Sequence, residues 1–279
     1  MDELVIQIVD LALREDIRNG DITTQAVFKG NETTKATFWA KESGVIAGLE
    51  LAAYIFNKVD SDLRFKKHIN DGDKVMRGDI IADVFGPSDS ILTGERTVLN
   101  FMQRMSGVAT KTRTFADAIA HTHTKLLDTR KTIPGHRYLD KWAVRLGGGK
   151  NHRYCLDDMY LIKENHIALA GGIKQAIKAC IDHKKRNGYQ WKIEVEVTTL
   201  EELDEVLAIG EVDFVLLDNM STKTLTEAVK RVDGKIKTEA SGNMTLERLP
   251  KVAETGVDFI SVGALTHSVK ALDISLLFD

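Results

Sequence analysis

The stretch that decides the fold runs from Asp128 to His166 and has the sequence DTRKTIPGHRYLDKWAVRLGGGKNHRYCLDDMYLIKENH. Between Lys125 and Lys163 there are nine basic side chains and four acidic ones, although the whole chain has a formal net charge of −3. A local field opposed in sign to the global charge favours a site that gathers small anions. The alternative is a basic, solvated helix face.

The cations of this stretch lie beside chain-breaking residues. Arg130 and Lys131 are followed by Pro134 and Gly135, and the three consecutive glycines Gly147–Gly149 precede a second basic cluster. Glycine lets backbone amides approach a ligand closely, and turns of this kind bind anions. Arginine offers paired donors to a carboxylate, and lysine offers a compact charge to a phosphate. The mixture therefore predicts a polyanion site.

Composition places the chain among soluble globular proteins. Its 279 residues with 43% hydrophobic content suit one large or two modest domains with a sizeable core. No apolar run approaches the length of a membrane-spanning helix, and the N-terminus lacks the pattern of a secretory signal. Cys155 and Cys180 form no metal or disulfide spacing, which favours a reducing cytoplasm. The balanced charge gives no support to nucleic-acid binding.

Residues 1–110 are predicted to form a small α/β sandwich domain. An amphipathic helix opens the chain, the segment NGDITT (Asn19–Thr24) is expected to be a turn, and short strands and a helix follow. A long helical pattern from Leu92 to Ala120 joins this domain to the rest. On that helix, the residue pattern alone favours a surface ion pair of Arg96 with Glu95 or another neighbouring residue.

From Lys125 onward, short apolar runs alternate with amphipathic helical segments, for example Leu200–Ile209, Thr224–Val232 and Thr245–Thr255. This alternation predicts βα units with a parallel sheet. With at least six such units, residues 111–279 are expected to form an α/β barrel, onto which the N-terminal chain packs back at the C-terminus. The predicted strands are Leu126–Leu127, Met159–Ile162, Ile193–Val197, Phe214–Leu217, Ile236–Thr238 and Phe259–Val262.

Chemically active residues follow nearly every predicted strand, at the end where such barrels build their sites. Early strands contribute cations, middle strands carboxylates and late strands small turns, which suit a phosphate. Glu196 and Asp218 suit sugar hydroxyls, Mg²⁺ or a developing positive charge, or else they cap the next helices. Ser241 and Gly242 form either a phosphate turn or an ordinary βα turn.

The stretch from Asp128 closely resembles the signature of quinolinate phosphoribosyltransferases, which are type II phosphoribosyltransferases. The resemblance covers essentially the whole chain through REDIRNGDITT, GERTVLNFMQRMSGVAT, EVEVTTLEELDEVL, FVLLDNM, EASGNM and DFISVGALTHS. Two departures are small. His136 stands where the family commonly has an apolar residue, and Glu164 where it often has aspartate.

The resemblance implies an N-terminal sandwich followed by an α/β barrel with fewer than eight strands. It also implies a homodimer or higher homo-oligomer in which the N-terminal region of one subunit closes the barrel mouth of another. Arg96 would then reach the substrate in the partner subunit. The residues placed around the two carboxylates of quinolinate are Arg130, His152, Arg153 and Lys163.

The same resemblance assigns the phosphoribosyl pyrophosphate donor. Lys131 and Lys163 would hold the pyrophosphate, and Glu196 and Asp218 would sit by the ribose hydroxyls and Mg²⁺. These four residues are the candidate catalytic groups. The 5-phosphate would be bound by Ser241, Gly242 and Gly263.

The implied reaction is transfer of phosphoribosyl to the quinolinate nitrogen with decarboxylation, which gives nicotinate mononucleotide, pyrophosphate and CO₂. Two alternatives stay open. One is a related phosphoribosyltransferase with another acceptor, such as nicotinate, although a single carboxylate would leave part of the cationic charge unpaired. The other is a non-catalytic barrel that senses a phosphorylated metabolite, which would need the phosphate turn but not the carboxylate pair.

Overall fold

The computed structural model describes residues 1–28 and 32–278. The chain divides into two compact units. The first comprises the described residues of Met1–Arg113, Thr132–Gly148 and Ala264–Asp279. The second comprises Thr114–Lys131 and Gly149–Gly263. The helices and strands in chain order are α1 (Glu3–Ile17), α2 (Ile22–Val27), β1 (Thr33–Ala40), β2 (Gly44–Val45), α3 (Leu49–Val59), β3 (Arg64–Lys67), β4 (Lys74–Val75), β5 (Ile80–Pro87), α4 (Ser88–Ala118), β6 (Lys125–Leu127), α5 (Arg137–Leu146), β7 (Tyr160–Ile162), α6 (Glu164–Ala170), α7 (Ile173–Asn187), β8 (Ile193–Val197), α8 (Leu200–Ile209), β9 (Phe214–Asp218), α9 (Thr222–Val232), β10 (Lys237–Ser241), α10 (Leu249–Ala253), β11 (Phe259–Ser261), α11 (Ala264–His267) and β12 (Ile274–Phe278).

The first unit is built on a four-stranded antiparallel sheet in the order β12-β1-β5-β3. Its core includes the aromatic side chains of Phe38, Phe56 and Phe65, whose ring centroids lie 5.8 to 6.2 Å apart. Edge-to-face and tilted ring pairs of this kind stabilise a core beyond the area they bury. This unit contains the small N-terminal sheet domain, which the sequence predicts as an α/β sandwich.

The segment NGDITT does not form the predicted turn over its full length. Its second half begins α2, because the carboxylate of Asp21 caps the helix. Asp21 Oδ1 accepts hydrogen bonds from the backbone N–H groups of Thr23 and Thr24, at 3.1 and 3.0 Å. Aspartate before a short helix is a favourable N-cap, and that local chemistry outweighs the turn-forming character of Asn19 and Gly20.

The two units are not separated by a single boundary in the chain. The predicted boundary at residue 110 falls within α4, three residues before the division at Arg113. Residues 132–148 and 264–279 group with the first unit, and β12 supplies an edge strand to its sheet by pairing with β1. The chain therefore leaves the first unit and returns to it twice.

The second unit is a six-stranded parallel sheet in the order β6-β11-β10-β9-β8-β7. Consecutive strands from β7 to β11 are neighbours, and β6 pairs with β11. Among the described strands β6 and β7 form no pair, so the ring is left open there. The prediction of an incomplete α/β barrel with fewer than eight strands is confirmed.

Strand alternation in this unit decides which side chains face the barrel interior. In β8 the sequence IEVEV places Glu194 and Glu196 on the side opposite to Ile193, Val195 and Val197. The register aligns Glu196 with Leu216 of β9, and Leu216 with Glu239 of β10. Polar inward positions at the carboxyl ends of parallel strands therefore form one rim. None of the described helices is both long and apolar enough to cross a membrane.

Candidate active site

A pocket of about 370 Å³ opens at the carboxyl ends of the strands in the second unit. It contains eight of the side chains that the sequence predicted for the site, namely Arg130, Lys131, His152, Arg153, Lys163, Glu196, Asp218 and Ser241. Thr129, Leu161, Leu216, Glu239 and Ser261 complete its lining. Because these residues come from six strands and the segments that follow them, the barrel rather than any local motif assembles the pocket.

Cations occupy the early-strand side of the pocket. Arg130 and Lys131 follow β6, and Lys163 comes directly after β7. The guanidinium of Arg153 is steadied by a hydrogen bond from Nη1 to the Met159 carbonyl, at 3.0 Å. The Nε of Arg130 is buried and meets no acceptor within the described part of the chain. Fixed guanidinium donors of this kind are suited to a planar carboxylate.

Glu196 and Asp218 supply carboxylates from the neighbouring strands β8 and β9. Glu196 Oε2 accepts from Lys163 Nζ at 2.8 Å, and the Glu196 side chain is only 17% exposed. Asp218 Oδ2 accepts from Asn219 Nδ2 at 2.7 Å. Each carboxylate faces the pocket, where charge can act on a bound ligand.

Neither carboxylate caps the helix that follows it. The N-cap of α8 is Thr199, whose Oγ1 accepts from the Glu202 N–H at 3.1 Å. The N-cap of α9 is Ser221, whose Oγ accepts from the Thr224 N–H at 3.1 Å. The helix-cap interpretation of Glu196 and Asp218 is therefore wrong, because other side chains fill those positions.

In the turn after β10, the backbone at Gly242 lies close to Asn219. Gly242 follows Ser241 and has a positive φ of 87°, and a Cβ at this position would overlap the side chain of Asn219. Arg248 Nη1 holds the turn by donating to the Gly242 carbonyl at 2.9 Å. Glycine is needed here for both conformation and space. Gly263 lies two residues beyond Ser261, at the end of the next strand.

Gly242→Ala is expected to disturb this turn more than a comparable glycine substitution elsewhere. Gly210 has a similar positive φ of 72°, but a Cβ added there would meet only open space among the described residues, so Gly210→Ala isolates the conformational cost. That cost is about 1 kcal/mol, or a loss of about 2 °C in Tm for a chain of this size. Gly242→Ala should lower the Tm by at least twice as much, because its Cβ also overlaps the Asn219 side chain. Equal Tm losses in thermal melts of the two variants would contradict the overlap.

Arg96 is the predicted site residue that the second unit does not contain. It lies on α4 within the first unit and its side chain is exposed. An exposed arginine on a helix is available to a ligand or to another protein chain.

Two buried carboxylates that sequence reasoning did not assign contact His152. Its Nε2 lies 2.9 Å from Glu194 Oε2 and 3.3 Å from Glu239 Oε2. Glu194 and Glu239 are 0% and 1% exposed. The signal that could have found them is strand alternation, because Glu194 shares its face of β8 with Glu196, and Glu239 shares its face of β10 with Ser241.

The cluster of His152, Glu194 and Glu239 retains an additional proton. Burial alone would lower the pKa of His152, but its hydrogen bonds to the two carboxylates raise that pKa. Burial, together with the charge of Glu239, raises the pKa of Glu194. The Arg153 N–H donates to His152 Nδ1 at 2.7 Å, so the ring proton lies on Nε2. Because the pKa values of both His152 and Glu194 are raised, the cluster as a whole holds the additional proton.

Glu196 and Asp218 have the donor chemistry that Mg²⁺ prefers. Mg²⁺ is bound by one or two carboxylates together with substrate phosphates and several waters, rather than by a complete protein cage. Each carboxylate has one oxygen in a hydrogen bond and lines an open pocket. His152, Glu194 and Glu239 also have ligand atoms within 4.8 Å of one another. In that group, however, the nitrogen and both carboxylates are already joined by hydrogen bonds.

Comparison with known proteins gives the family of the chain. Residues 21–106 match the model of the quinolinate phosphoribosyl transferase N-terminal domain, and residues 108–277 match that of the C-terminal domain. The chain belongs to the quinolinate phosphoribosyltransferase family. Both family domains are thus present in this chain, one after the other.

Relatives within the quinolinate phosphoribosyltransferase family align with nearly the whole chain. The decarboxylating quinolinate phosphoribosyltransferase 1b of Nicotiana tabacum is 48% identical, over 98% of this chain and 81% of its own. The carboxylating chloroplastic nicotinate-nucleotide pyrophosphorylase of Arabidopsis thaliana is 46% identical, over 98% and 82%. The structure of the nicotinate-nucleotide pyrophosphorylase from Francisella tularensis superposes with a TM-score of 0.94, at 43% identity, covering 99% of this chain and 96% of that one.

The two departures from the quinolinate phosphoribosyltransferase pattern have ordinary structural positions. His136 precedes α5 in the first unit and stacks on Phe101, with ring centroids 6.0 Å apart. Burial lowers the pKa of His136, which favours the neutral ring. Glu164 is exposed in the first turn of α6, where an acidic residue is favourable.

Proposed function

We propose that this chain transfers the phosphoribosyl group of phosphoribosyl pyrophosphate to the ring nitrogen of quinolinate with loss of CO₂. The products are nicotinate mononucleotide, pyrophosphate and CO₂, and the reaction belongs to NAD biosynthesis. The observation that carries the proposal is a single pocket lined by the cations Arg130, Arg153 and Lys163 together with the carboxylates of Glu196 and Asp218.

The cationic side of the rim accepts the dicarboxylate. Arg130 and Arg153 offer planar donors, Lys163 adds a point charge, and His152 lies beside them in the pocket lining. A ligand with two carboxylates neutralises this charge, whereas a monocarboxylate leaves part of it uncompensated in a desolvated site. Quinolinate is therefore favoured over nicotinate as the acceptor.

The donor, phosphoribosyl pyrophosphate, binds beside the carboxylates of Glu196 and Asp218. Lys131 and Lys163 bind the pyrophosphate, and Glu196 and Asp218 face the ribose hydroxyls and hold Mg²⁺. When bound, Mg²⁺ supplies positive charge that stabilises the departing pyrophosphate. The 5-phosphate is bound by the small turns that contain Ser241, Gly242 and Gly263, as is common at the last strands of such barrels.

The chemistry requires positioning and electrostatic stabilisation. The bond between ribose C1 and the pyrophosphate oxygen breaks, and its electron pair leaves with pyrophosphate. C1 becomes cationic, is stabilised by the nearby carboxylates and forms a bond to the pyridine nitrogen. The bond from ring C2 to its carboxylate then breaks, CO₂ leaves, and the electron pair left at C2 takes up a proton. The positive ring nitrogen stabilises that pair until it is protonated.

A turnover assay tests this function directly. Purified protein, Mg²⁺ and phosphoribosyl pyrophosphate are mixed with quinolinate or with nicotinate, and CO₂ release and nicotinate mononucleotide are measured. Product with quinolinate alone is the expected result. Product with nicotinate would mean that the acceptor is different. Donor binding without any product would favour the metabolite-sensing barrel.

Arg96 points to a site completed by a second copy of the chain, and we propose a homodimer with shared sites. Arg96→Ala and Lys163→Ala are each expected to abolish most activity, because each removes one contribution to every site. After random subunit exchange, half of the dimers are mixed and each has one intact site of two, so about one quarter of wild-type activity should return. Mass spectrometry establishes exchange, and exchange without rescue would exclude a shared site.

A further inference from the structure

The segment that carries His152 and Arg153 has no regular secondary structure of its own. It runs from Lys150 towards β7, and outside the single bridge of Lys150 with Leu127 its residues belong to no helix or strand. Loops of this kind depend on side-chain contacts for a fixed geometry. The position of these two pocket-lining residues must therefore be set from outside the segment.

One anchor is Asp128, which is 0% exposed at the end of β6. Its Oδ1 accepts from the His152 backbone N–H at 2.8 Å, and its Oδ2 accepts from Asn151 Nδ2 at 2.6 Å. One buried carboxylate thus holds two consecutive residues of the segment. This contact fixes the backbone but leaves the His152 ring free to turn about its side-chain bonds.

The ring is fixed by the two buried glutamates and is connected to Arg153. Nε2 lies 2.9 Å from Glu194 Oε2 and 3.3 Å from Glu239 Oε2, while Nδ1 accepts the Arg153 backbone N–H at 2.7 Å. The glutamates belong to strands β8 and β10, each of which is paired with a neighbouring strand on both sides. A rotation of the ring away from them would also break its hydrogen bond to Arg153.

Burying two carboxylates is costly unless they serve a purpose beyond stability. Within the described part of the chain, Oε1 of Glu194 and Oε1 of Glu239 have no hydrogen-bond partner. Apolar side chains of similar volume would fill the barrel at a lower cost, since buried charges seldom stabilise a fold. Partly satisfied buried polar groups are typical of functional sites, where geometry has priority over stability.

We propose that Glu194 and Glu239 are positioning residues for acceptor binding, which hold the His152 ring and through its Nδ1 the backbone of Arg153. The acceptor carboxylates then contact the guanidinium of Arg153. The backbone position of Arg153 is set by side chains on or next to strands β6, β8 and β10. His152 contributes by fixing Arg153, because both ring nitrogens are already engaged by protein groups. This inference rests on the proposed function only in naming quinolinate as the acceptor.

A double-mutant cycle tests whether Glu194 acts through His152. Glu194→Ala and His152→Ala are each expected to raise the KM for quinolinate about tenfold or more, because each leaves a buried polar partner unsatisfied. The KM for phosphoribosyl pyrophosphate should change by less than about twofold, which also shows that the barrel is folded. In the double variant the quinolinate KM should rise no further than in His152→Ala alone.

Conservative variants separate positioning from a general loss of stability. Glu194→Gln and Glu239→Gln keep a carbonyl oxygen that accepts from Nε2–H, so their quinolinate KM should stay within about threefold of wild type. The matched control is Asp258→Asn, whose carboxylate accepts from the Thr238 N–H at 3.0 Å and from Lys237 Nζ at 2.6 Å, at the opposite strand ends. This control should lower the Tm without changing the quinolinate KM.

Three results would overturn the inference. The first is a quinolinate KM in the double variant that rises by the product of the two single effects. The second is an equal rise in the KM for both substrates in Glu194→Ala. The third is a quinolinate KM in the glutamine variants that is raised as much as in Glu194→Ala. Failure of the proposed function is recognised separately. In that case the wild-type protein releases no CO₂ from quinolinate. The same wild-type, single-variant and double-variant proteins are then compared by the dissociation constant of quinolinate, measured by calorimetry.

Discussion

Lys163→Ala is expected to lower kcat/KM for quinolinate by about a thousandfold, which corresponds to the loss of a preorganised electrostatic contact at a reacting centre. Lys163 lies directly after β7 and lines the pocket, with Nζ 2.8 Å from Glu196 Oε2. Removing the ammonium withdraws positive charge from both substrates, which are anions. It also leaves the charge of Glu196 without its partner, so the pocket repels the anionic substrates.

The salt bridge of Lys163 with Glu196 is not itself the reason for this large effect. Lys163 is 47% exposed, and ion pairs at such positions contribute little to stability. The matched control is Lys192→Ala, which breaks a salt bridge of the same length, 2.8 Å from Nζ to Asp213 Oδ1, on a lysine that is 61% exposed. That pair lies at the opposite strand ends, and its loss should leave kcat/KM within about twofold of wild type.

Steady-state kinetics with each substrate varied in turn measures the effect of Lys163→Ala. Lys163→Arg keeps the charge but changes its shape and reach, so an intermediate activity is expected. A loss smaller than tenfold in Lys163→Ala would contradict the role assigned to this lysine. So would a comparable loss in Lys192→Ala, because the cause would then be folding.

Asp218→Asn is expected to lower kcat by about a hundredfold to a thousandfold while the KM for quinolinate changes by less than about threefold. The substitution keeps the size of the side chain and its hydrogen bond from Asn219 Nδ2, which is 2.7 Å long. It removes only the charge. In the proposed reaction, a negative charge at this position would stabilise the cationic ribose C1 and help to hold Mg²⁺, and neither effect would contribute to binding of the acceptor.

The control for Asp218→Asn is Asp213→Asn, at the opposite end of the same strand. Asp213 Oδ2 accepts from the Ile193 N–H at 2.9 Å, so its loss affects folding but not the pocket. Activity is measured over a range of Mg²⁺ concentrations, and Asp218→Asn should need more Mg²⁺ for half-maximal rate. An unchanged kcat, or a loss confined to the KM for quinolinate, would contradict the assignment.

Much of the second unit was predictable because its pattern is local. The predicted bounds of β8 and α8, Ile193–Val197 and Leu200–Ile209, agree with the structure because β-branched runs and capping boxes are short-range signals. The segment before α10 was less predictable. A helix was expected from Thr245 to Thr255, but regular helix is confined to Leu249–Ala253, with Pro250 at its start.

The candidate site was predictable to the extent that it lies at strand ends. Arg130 and Lys163 follow their strands, and Glu196 and Asp218 lie within the last two positions of theirs. Parallel strands bring such positions to one rim. Glu194 was not found, because a glutamate inside a strand is expected to face solvent. Its contact with His152 joins residues 42 positions apart, and no local pattern specifies that pairing.

The sequence by itself determined the alternation of strands and helices, the chemical character of the rim and the family. Each of these depends on residue types at short, regular spacing. Only the tertiary structure decided that β12 returns to the sheet of the first unit, that the barrel stays open between the described strands β6 and β7, and that two buried glutamates hold His152. The physical reason is that strand pairing and burial are selected by the packing of the whole chain, and the residues concerned are far apart in sequence.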